Sequence, residues 1–185
     1  MKNTKNVLLQ LLTALFSLSF LIVTGILLYF VLQPEKLPIG SHMPKIEYLS
    51  PEGPQLLKHN NVRSTVVVYF NSNCKSCRSQ LHSFNNNIDR LNDISIILLT
   101  FEEDFLSKHL EIEWPALTHA TNITWGVVNF EIFFEHFAPR MSPMMYVFDH
   151  KDVLIAKIRG ESKLEKLLKE INIADGPERR LGGNK

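Results

Sequence analysis

The sequence predicts an α/β domain carried behind one N-terminal transmembrane helix, and three observations support that expectation. A long uncharged apolar run opens the chain. Two runs rich in apolar and β-branched residues, Thr65 to Phe70 and Ile94 to Thr100, bracket a segment with helical periodicity. Two further short strand-like segments then read as a hairpin ahead of a last amphipathic helix.

The apolar run comes first. From Val7 to Leu32 the chain reads VLLQLLTALFSLSFLIVTGILLYFVL, without a formal charge. A spanning helix needs roughly 20 mainly apolar residues, so this run can cross a bilayer with some tilt. Lys2, Lys5 and the α-amino group precede it, while Glu35 and Lys36 follow and nearly cancel. That asymmetry predicts a cytoplasmic N-terminus, residues 1–6, and an exocytoplasmic remainder. A cleaved signal peptide would show an apolar core of about 7–15 residues and a small-x-small site, which LLYFVLQPEK lacks. Residues 7–32 are therefore read as an uncleaved anchor, 33–43 as a linker, 44–174 as a folded domain and 175–185 as a polar disordered tail. Gly40-Ser41-His42-Met43 matches the remnant of a cut expression tag, but behind a native-looking anchor it is read as native.

Lys plus Arg total 20 and Asp plus Glu 19, so no bulk charge points to nucleic acid. Two cysteines are too few for a disulfide scaffold. They stand together as Cys74 and Cys77 in YFNSNCKSCRSQL, a C-x-x-C pair.

How that pair is mounted follows from its neighbours. TVVVYF, residues 65–70, is continuous enough to be a strand buried on both faces. Asn71-Ser72-Asn73 is a turn-forming cluster that ends it. Cys77, Leu81, Phe84, Ile88 and Leu91 then recur at spacings of 4, 3, 4 and 3, one face of a helix. Cys74 thus falls at the strand-to-helix junction and Cys77 in the first turn, on the inward face. Unpaired first-turn N–H groups and the helix dipole favour a thiolate at Cys74. Lys75, with Arg78 nearby, adds positive charge that lowers the thiol pKa.

The remaining elements complete an α/β order. ISIILLT, residues 94–100, closes a β-α-β unit that should be right-handed. Residues 101–141 carry expected helices near Asp104–Leu110 and Phe130–Phe137. MMYVFD and VLIAKIR read as two strands joined by the turn His150-Lys151, and Gly160 ends the second. Leu164, Leu167, Leu168 and Ile171 mark the final helix.

With these residues in place, the chain resembles the thioredoxin superfamily, and in particular its membrane-anchored TlpA/ResA-type members. The resemblance rests on a hydrophobic strand, C-x-x-C opening a helix, and MSPMMYVFD ahead of a hairpin. The lead-in PIGSHMPKIEYLSPEG, with Gly40 and Pro44, adds to it, and about residues 38–172 are covered. It implies a thioredoxin fold, a central mixed sheet flanked by helices, with residues 101–141 as an inserted helical segment. It implies further that Cys74 attacks and Cys77 resolves. Pro143 would be a cis proline shaping the partner groove, and Ser142 would offer its backbone to the partner strand. The implied activity is protein-disulfide oxidoreduction on the exocytoplasmic side of a bacterial cytoplasmic membrane. Its clients would be protein disulfides, for example in cytochrome c or metalloprotein maturation, and a thiol-type membrane donor would reset it. No cofactor is implied beyond the Cys74–Cys77 disulfide. There are departures: Asn73 stands where many thioredoxins have an aromatic, and Val68 where they have a buried acid. Glu113 could supply a carboxylate instead.

Three alternatives have their own residues. Zinc would need four ligands, and the histidines, including His82, His109, His119 and His136, show no paired spacing, so no metal ligand is assigned. Met141, Met144 and Met145 around Pro143 would suit Cu(I) in a copper-delivery module, or simply fill space. A peroxidase would be expected to show Pro and Thr shortly before its cysteine, which FNSNCKSC lacks. An anchored binding domain with a structural disulfide differs by a Cys74 that cannot be attacked. Trp114, Trp125, Phe130, Phe133 and Phe134 fit a partner surface or a core equally well.

Overall fold

The computed structural model describes residues 2–32, 36–58, 63–107 and 113–175. The chain divides into two compact units, Met1–Glu35 and Lys36–Lys185. The first is the helix α1 (Lys2–Leu32). Its described side chains run from Ala14 to Tyr29 and are all exposed. Among the described residues, no helix is long and apolar enough to cross a membrane.

The second unit is built on a seven-stranded sheet of order β2-β1-β5-β4-β3-β6-β7. The strands are β1 (Glu47–Ser50), β2 (Gly53–Leu56), β3 (Thr65–Tyr69), β4 (Ser95–Thr100), β5 (Ile123–Val128), β6 (Met144–Phe148) and β7 (Leu154–Arg159). β3, β4 and β5 are parallel, while β1, β2, β6 and β7 join antiparallel, so the sheet is mixed. Helices α2 (Lys75–Asn85), α3 (Pro115–His119), α4 (Phe130–Phe137) and α5 (Leu164–Asp175) accompany it.

The alternation along β3 explains why it had to be apolar throughout. Val66 and Val68 face a core shared with Leu81 and Phe84 of α2 and Leu164, Leu167 and Ile171 of α5. Val67 and Tyr69 face a second core with Phe133 and Phe137 of α4, Leu37 and Met43. Every residue of β3 is buried, as expected for a strand covered on both faces.

Several expectations are corrected. The apolar period of α2 runs on to Leu91, but the helix stops at Asn85 and a 3-10 turn, Ile88–Leu91, carries Leu91 into the core. Asn85-Asn86-Asn87 favours turns over helix, and the Asn87 side chain donates back to the Ser83 carbonyl at 2.8 Å. Residues 101–141 are not only a helical insertion, because they supply β5 to the sheet. The helix expected over Asp104–Leu110 shows a 3-10 turn at Phe105–Ser107, and its remainder lies outside the described residues. The hairpin turn spans more than His150-Lys151: the Asp149 carboxylate accepts the Lys151 and Val153 N–H groups, both at 2.9 Å.

The linker reading also changes. Residues 36–43 belong to the folded unit, with Leu37 and Met43 buried. The Gly40 N–H donates to Leu154 O and the Leu154 N–H to Ser41 O, each at 2.8 Å, and His42 bridges Val153. The GSHM stretch is thus an integral part of the domain. Residues 33–35 and 176–185 lie outside the described residues, so the rest of the linker and nearly all of the tail go unplaced.

Candidate active site

β3 ends at Tyr69 and the chain turns through Asn71-Ser72-Asn73 into α2. The turn is held from within and from outside. The Asn71 side chain accepts the Asn73 N–H at 2.8 Å, and the Asn71 carbonyl accepts the Cys74 N–H at 3.1 Å. From the loop after β4, Glu102 accepts the Ser72 N–H at 2.7 Å and the Ser72 hydroxyl as well. Cys74 is then the N-cap of α2, with φ −84° and ψ 118°, and its sulfur accepts the Cys77 N–H at 3.3 Å. A sulfur here does what a cap oxygen does, and satisfies a first-turn donor.

The two cysteines are free and unequal: Cys74 is half-buried, whereas Cys77 is fully buried in the α2 core. Partial burial opposes ionisation of Cys74, yet hydrogen bonds from the Cys77 and Ser76 side chains and N–H groups outweigh it. The Cys74 thiol is held below its ordinary value. Burial pushes the Cys77 thiol the other way, up to about 11, against a hydrogen bond from the Asn71 backbone. Ionisation is thus eased at one sulfur and opposed at the other.

The opposite wall comes from the segment before β6. The Ser142–Pro143 peptide is cis and Pro143 is buried. The Cys74 thiol lies 3.5 Å from the Ser142 carbonyl, and the Cys77 sulfur 3.2 Å from the Ser142 hydroxyl. Ser142 therefore touches both sulfurs. Cys74, Cys77, Ser142 and Pro143, named from sequence, are brought together.

Other candidates make no hydrogen bond to either sulfur among the described residues. Lys75 is exposed at the head of α2. Arg78, expected to lend charge to the thiolate, pairs instead with Glu113, which also lies 3.9 Å from His82. Glu113, just before α3, thus pairs with residues of α2 and reaches neither cysteine by any hydrogen bond among the described residues. Met145 joins the core that holds Cys77, but Met144 joins the core on the other face of the sheet. A copper site using both thioethers is excluded by that alternation. Among the described residues, no group of three or more His, Cys, Asp or Glu side chains could hold a metal ion. Trp114, Trp125 and Phe133 are core residues, whereas Phe130 and Phe134 are exposed.

Sequence reading missed two contributors. Glu102 looked like one acid in a run of three, and its partner lies 30 positions away. Gln80 is buried in α2 and accepts the Ser162 N–H at 2.8 Å, tying that helix to the loop after β7. A lone amide on the apolar face of α2 was the available signal for Gln80.

The sequence matches no protein-family model and no curated protein. Solved structures do match. A thiol:disulfide interchange protein from Bacteroides sp. superimposes with a TM-score of 0.57 at 14% identity, covering 80% of this chain and 97% of that one. StoA from Bacillus subtilis gives a TM-score of 0.53 at 13% identity, over 71% and 100% of the two chains. A peroxiredoxin-like protein from Aquifex aeolicus gives 0.60 at 10% identity, over 75% and 88%. These likenesses show a shared fold, a mixed sheet flanked by helices. Within that fold, this chain sets its C-x-x-C pair at a helix N-cap beside a cis proline.

Proposed function

We propose that the protein is a membrane-anchored thiol-disulfide oxidoreductase that reduces protein disulfides outside the cytoplasm. The observation that carries this is the inequality of the pair: Cys74 accessible and poised to ionise, Cys77 buried one turn behind it. The Cys74 thiolate attacks one sulfur of a substrate disulfide, forming a mixed disulfide and expelling the other sulfur as a thiolate. Cys77 gives up its proton and attacks Cys74, closing the Cys74–Cys77 disulfide and releasing the second substrate thiolate. The substrate gains two electrons and, at neutral pH, two protons; the enzyme dithiol is oxidised. A donor dithiol reverses that oxidation and completes the cycle. Pro143 and the Ser142 backbone form the wall against which the substrate strand lies. Lys75 adds a positive charge that favours the thiolate, and Lys75→Ala should slow attack by Cys74.

The anchor belongs to the same reading. Its support is in the sequence: the uncharged run from Val7 to Leu32 exceeds the roughly 20 apolar residues that a span needs. The cationic residues before the run support a cytoplasmic N-terminus and a domain on the periplasmic or outer side of a bacterial cytoplasmic membrane. Clients in cytochrome c or metalloprotein maturation and a thiol-type membrane donor accord with that place.

The test is the reduction potential of the Cys74–Cys77 couple, titrated on the full chain in mild detergent with Cys74→Ser as control. A value near −270 mV, the thioredoxin end of the scale, is expected. A value near −120 mV would mark a donor of disulfides instead. A pair that is reduced only on unfolding would overturn the enzyme reading and leave a structural staple.

A further inference from the structure

Redox chemistry needs only the sulfurs and their wall, yet the same edge of the sheet carries a second feature. β3, β4 and β5 are parallel, so the segments that follow them emerge along one edge. Cys74 follows β3, Phe101 to Glu103 follow β4, and Asn129 and Phe130 follow β5. In open α/β sheets this edge is where ligands bind. A groove of about 620 Å³ lies here, walled by Leu49, Phe101, Val128 and Phe130, with Glu103 and Glu131 also lining it.

Its walls are unusual for a surface. Leu49, Phe101 and Phe130 are 49%, 36% and 48% exposed, and the Phe101 and Phe130 rings meet edge to face at 5.5 Å. Contiguous exposed apolar side chains of this size mark binding surfaces. Both charged lining residues are carboxylates, and among the described residues neither is paired with a cation. The groove is also tied to the redox pair. Phe101 stacks on Tyr69 at 6.0 Å, and Glu102, next in the chain, grips the turn before Cys74.

We infer that this groove holds the polypeptide segment flanking the substrate's cysteine, and that it selects an apolar side chain next to Lys or Arg. The inference rests on the oxidoreductase reading and names its substrate class. Aromatic walls take the apolar side chain, and Glu103 and Glu131 meet the cation. β5 lies two strands from β3, roughly 10 Å away, so a segment three or four residues from the substrate cysteine spans the gap.

The test uses the reduced full chain in detergent and two disulfide peptides, alike except that one flank reads apolar-Lys-Arg and the other apolar-Glu-Glu. The wild type should favour the cationic peptide in kcat/KM by about tenfold, and less at high salt. In Glu103→Lys/Glu131→Lys the ratio of the two rates should invert, and in Glu103→Gln/Glu131→Gln it should fall towards one. Equal rates in the wild type, or an unchanged ratio in both variants, would overturn the proposal while the enzyme reading stands. Failure to reduce even a small-molecule disulfide would overturn both. Two other occupants give separate signals. Hydrogen-exchange protection of residues 129–134 in phosphatidylcholine nanodiscs, without peptide, would assign the groove to lipid. A dimer dissociated by Phe130→Glu would assign it to a second copy. Either would overturn the proposal.

Discussion

The Glu102 carboxylate accepts both the N–H and the hydroxyl of Ser72, joining the loop after β4 to the turn that delivers Cys74. A side chain that is not part of the redox motif thereby fixes where the reactive sulfur sits. Glu102→Ala removes the acceptor of both bonds and should destabilise the domain by about 1.5–3 kcal/mol, the scale for a hydrogen bond to a charged group. Glu102→Gln keeps an acceptor and should recover part of that loss. Urea unfolding measures the stability, and the reduction potential should move with Glu102→Ala more than with Glu102→Gln.

Ser76 bears on the chemistry more directly, because its hydroxyl lies 3.7 Å from the Cys74 sulfur and helps to lower its pKa. Ser76→Ala should raise that pKa, so the pH profile of Cys74 alkylation moves to higher pH and the rate at neutral pH falls. Iodoacetamide labelling followed by mass spectrometry gives both. A profile identical to wild type would remove Ser76 from the account.

Cys77→Ala should stop the cycle halfway. Attack by Cys74 still forms the mixed disulfide, but no second sulfur displaces the substrate. A disulfide peptide should therefore accumulate on Cys77→Ala at close to one per protein, visible on a non-reducing gel. Cys74→Ala, which leaves only the buried sulfur, should trap none.

Stability should depend on pH with a definite sign. Burial pushes Cys77 up to about 11, and burial with the charges of Cys77 and Glu102 pushes Tyr69 up to about 12. Both acids ionise first in the unfolded chain, near 9.0 and 10.0. Below that range Cys77 and Tyr69 keep their protons in both states and contribute nothing, while Cys74, whose pKa the fold lowers, ionises first in the native state and adds stability as pH rises towards 9. As pH rises from about 9 to about 11 the unfolded state loses a proton that the native state keeps, so the reduced protein becomes less stable. Cys77→Ala should flatten the fall up to about pH 10 and leave a smaller Tyr69 part above it, because burial and Glu102 still raise Tyr69 but the Cys77 charge is gone. Urea midpoints across this range decide it.

Gly126 lies in the middle of β5 because a side chain there has nowhere to go. A Cβ would run into the Tyr48 ring and stand 3.1 Å from Leu99. Gly126→Ala should cost about 1–3 kcal/mol by overpacking. In a Tyr48→Ala background the added cost should shrink, which a double-mutant cycle reads out.

That glycine also explains why β5 was hidden in the sequence. β3 and β4 announce themselves as unbroken apolar runs, and α2 by its period, because burial on a regular element leaves a regular pattern. ITWGVV is interrupted by Thr124 and Gly126, and glycine ordinarily weakens a strand. Its fitness for β5 depends on Tyr48, 78 positions away (126 − 48). Glu102 was hidden for the same reason: its role is a contact between two loops, and nothing local marks it. Cys74 and Cys77 were legible because their chemistry depends on spacing within one helical turn. Ser142 and Pro143 came through family likeness, and no periodicity would have found them.

The lead-in meets the sheet at Val153 and Leu154, where β7 begins beside the end of β6. Phe148, the last residue of β6, pairs with Thr65, the first of β3, and Cys74 lies beyond the other end of β3. At about 3.3 Å per residue, the five residues of β3 separate the two places by some 16 Å. Tension entering the domain through residues 36–43 is therefore borne by hydrogen bonds a strand's length from the sulfurs. Such a load does not pass through the cysteine pair.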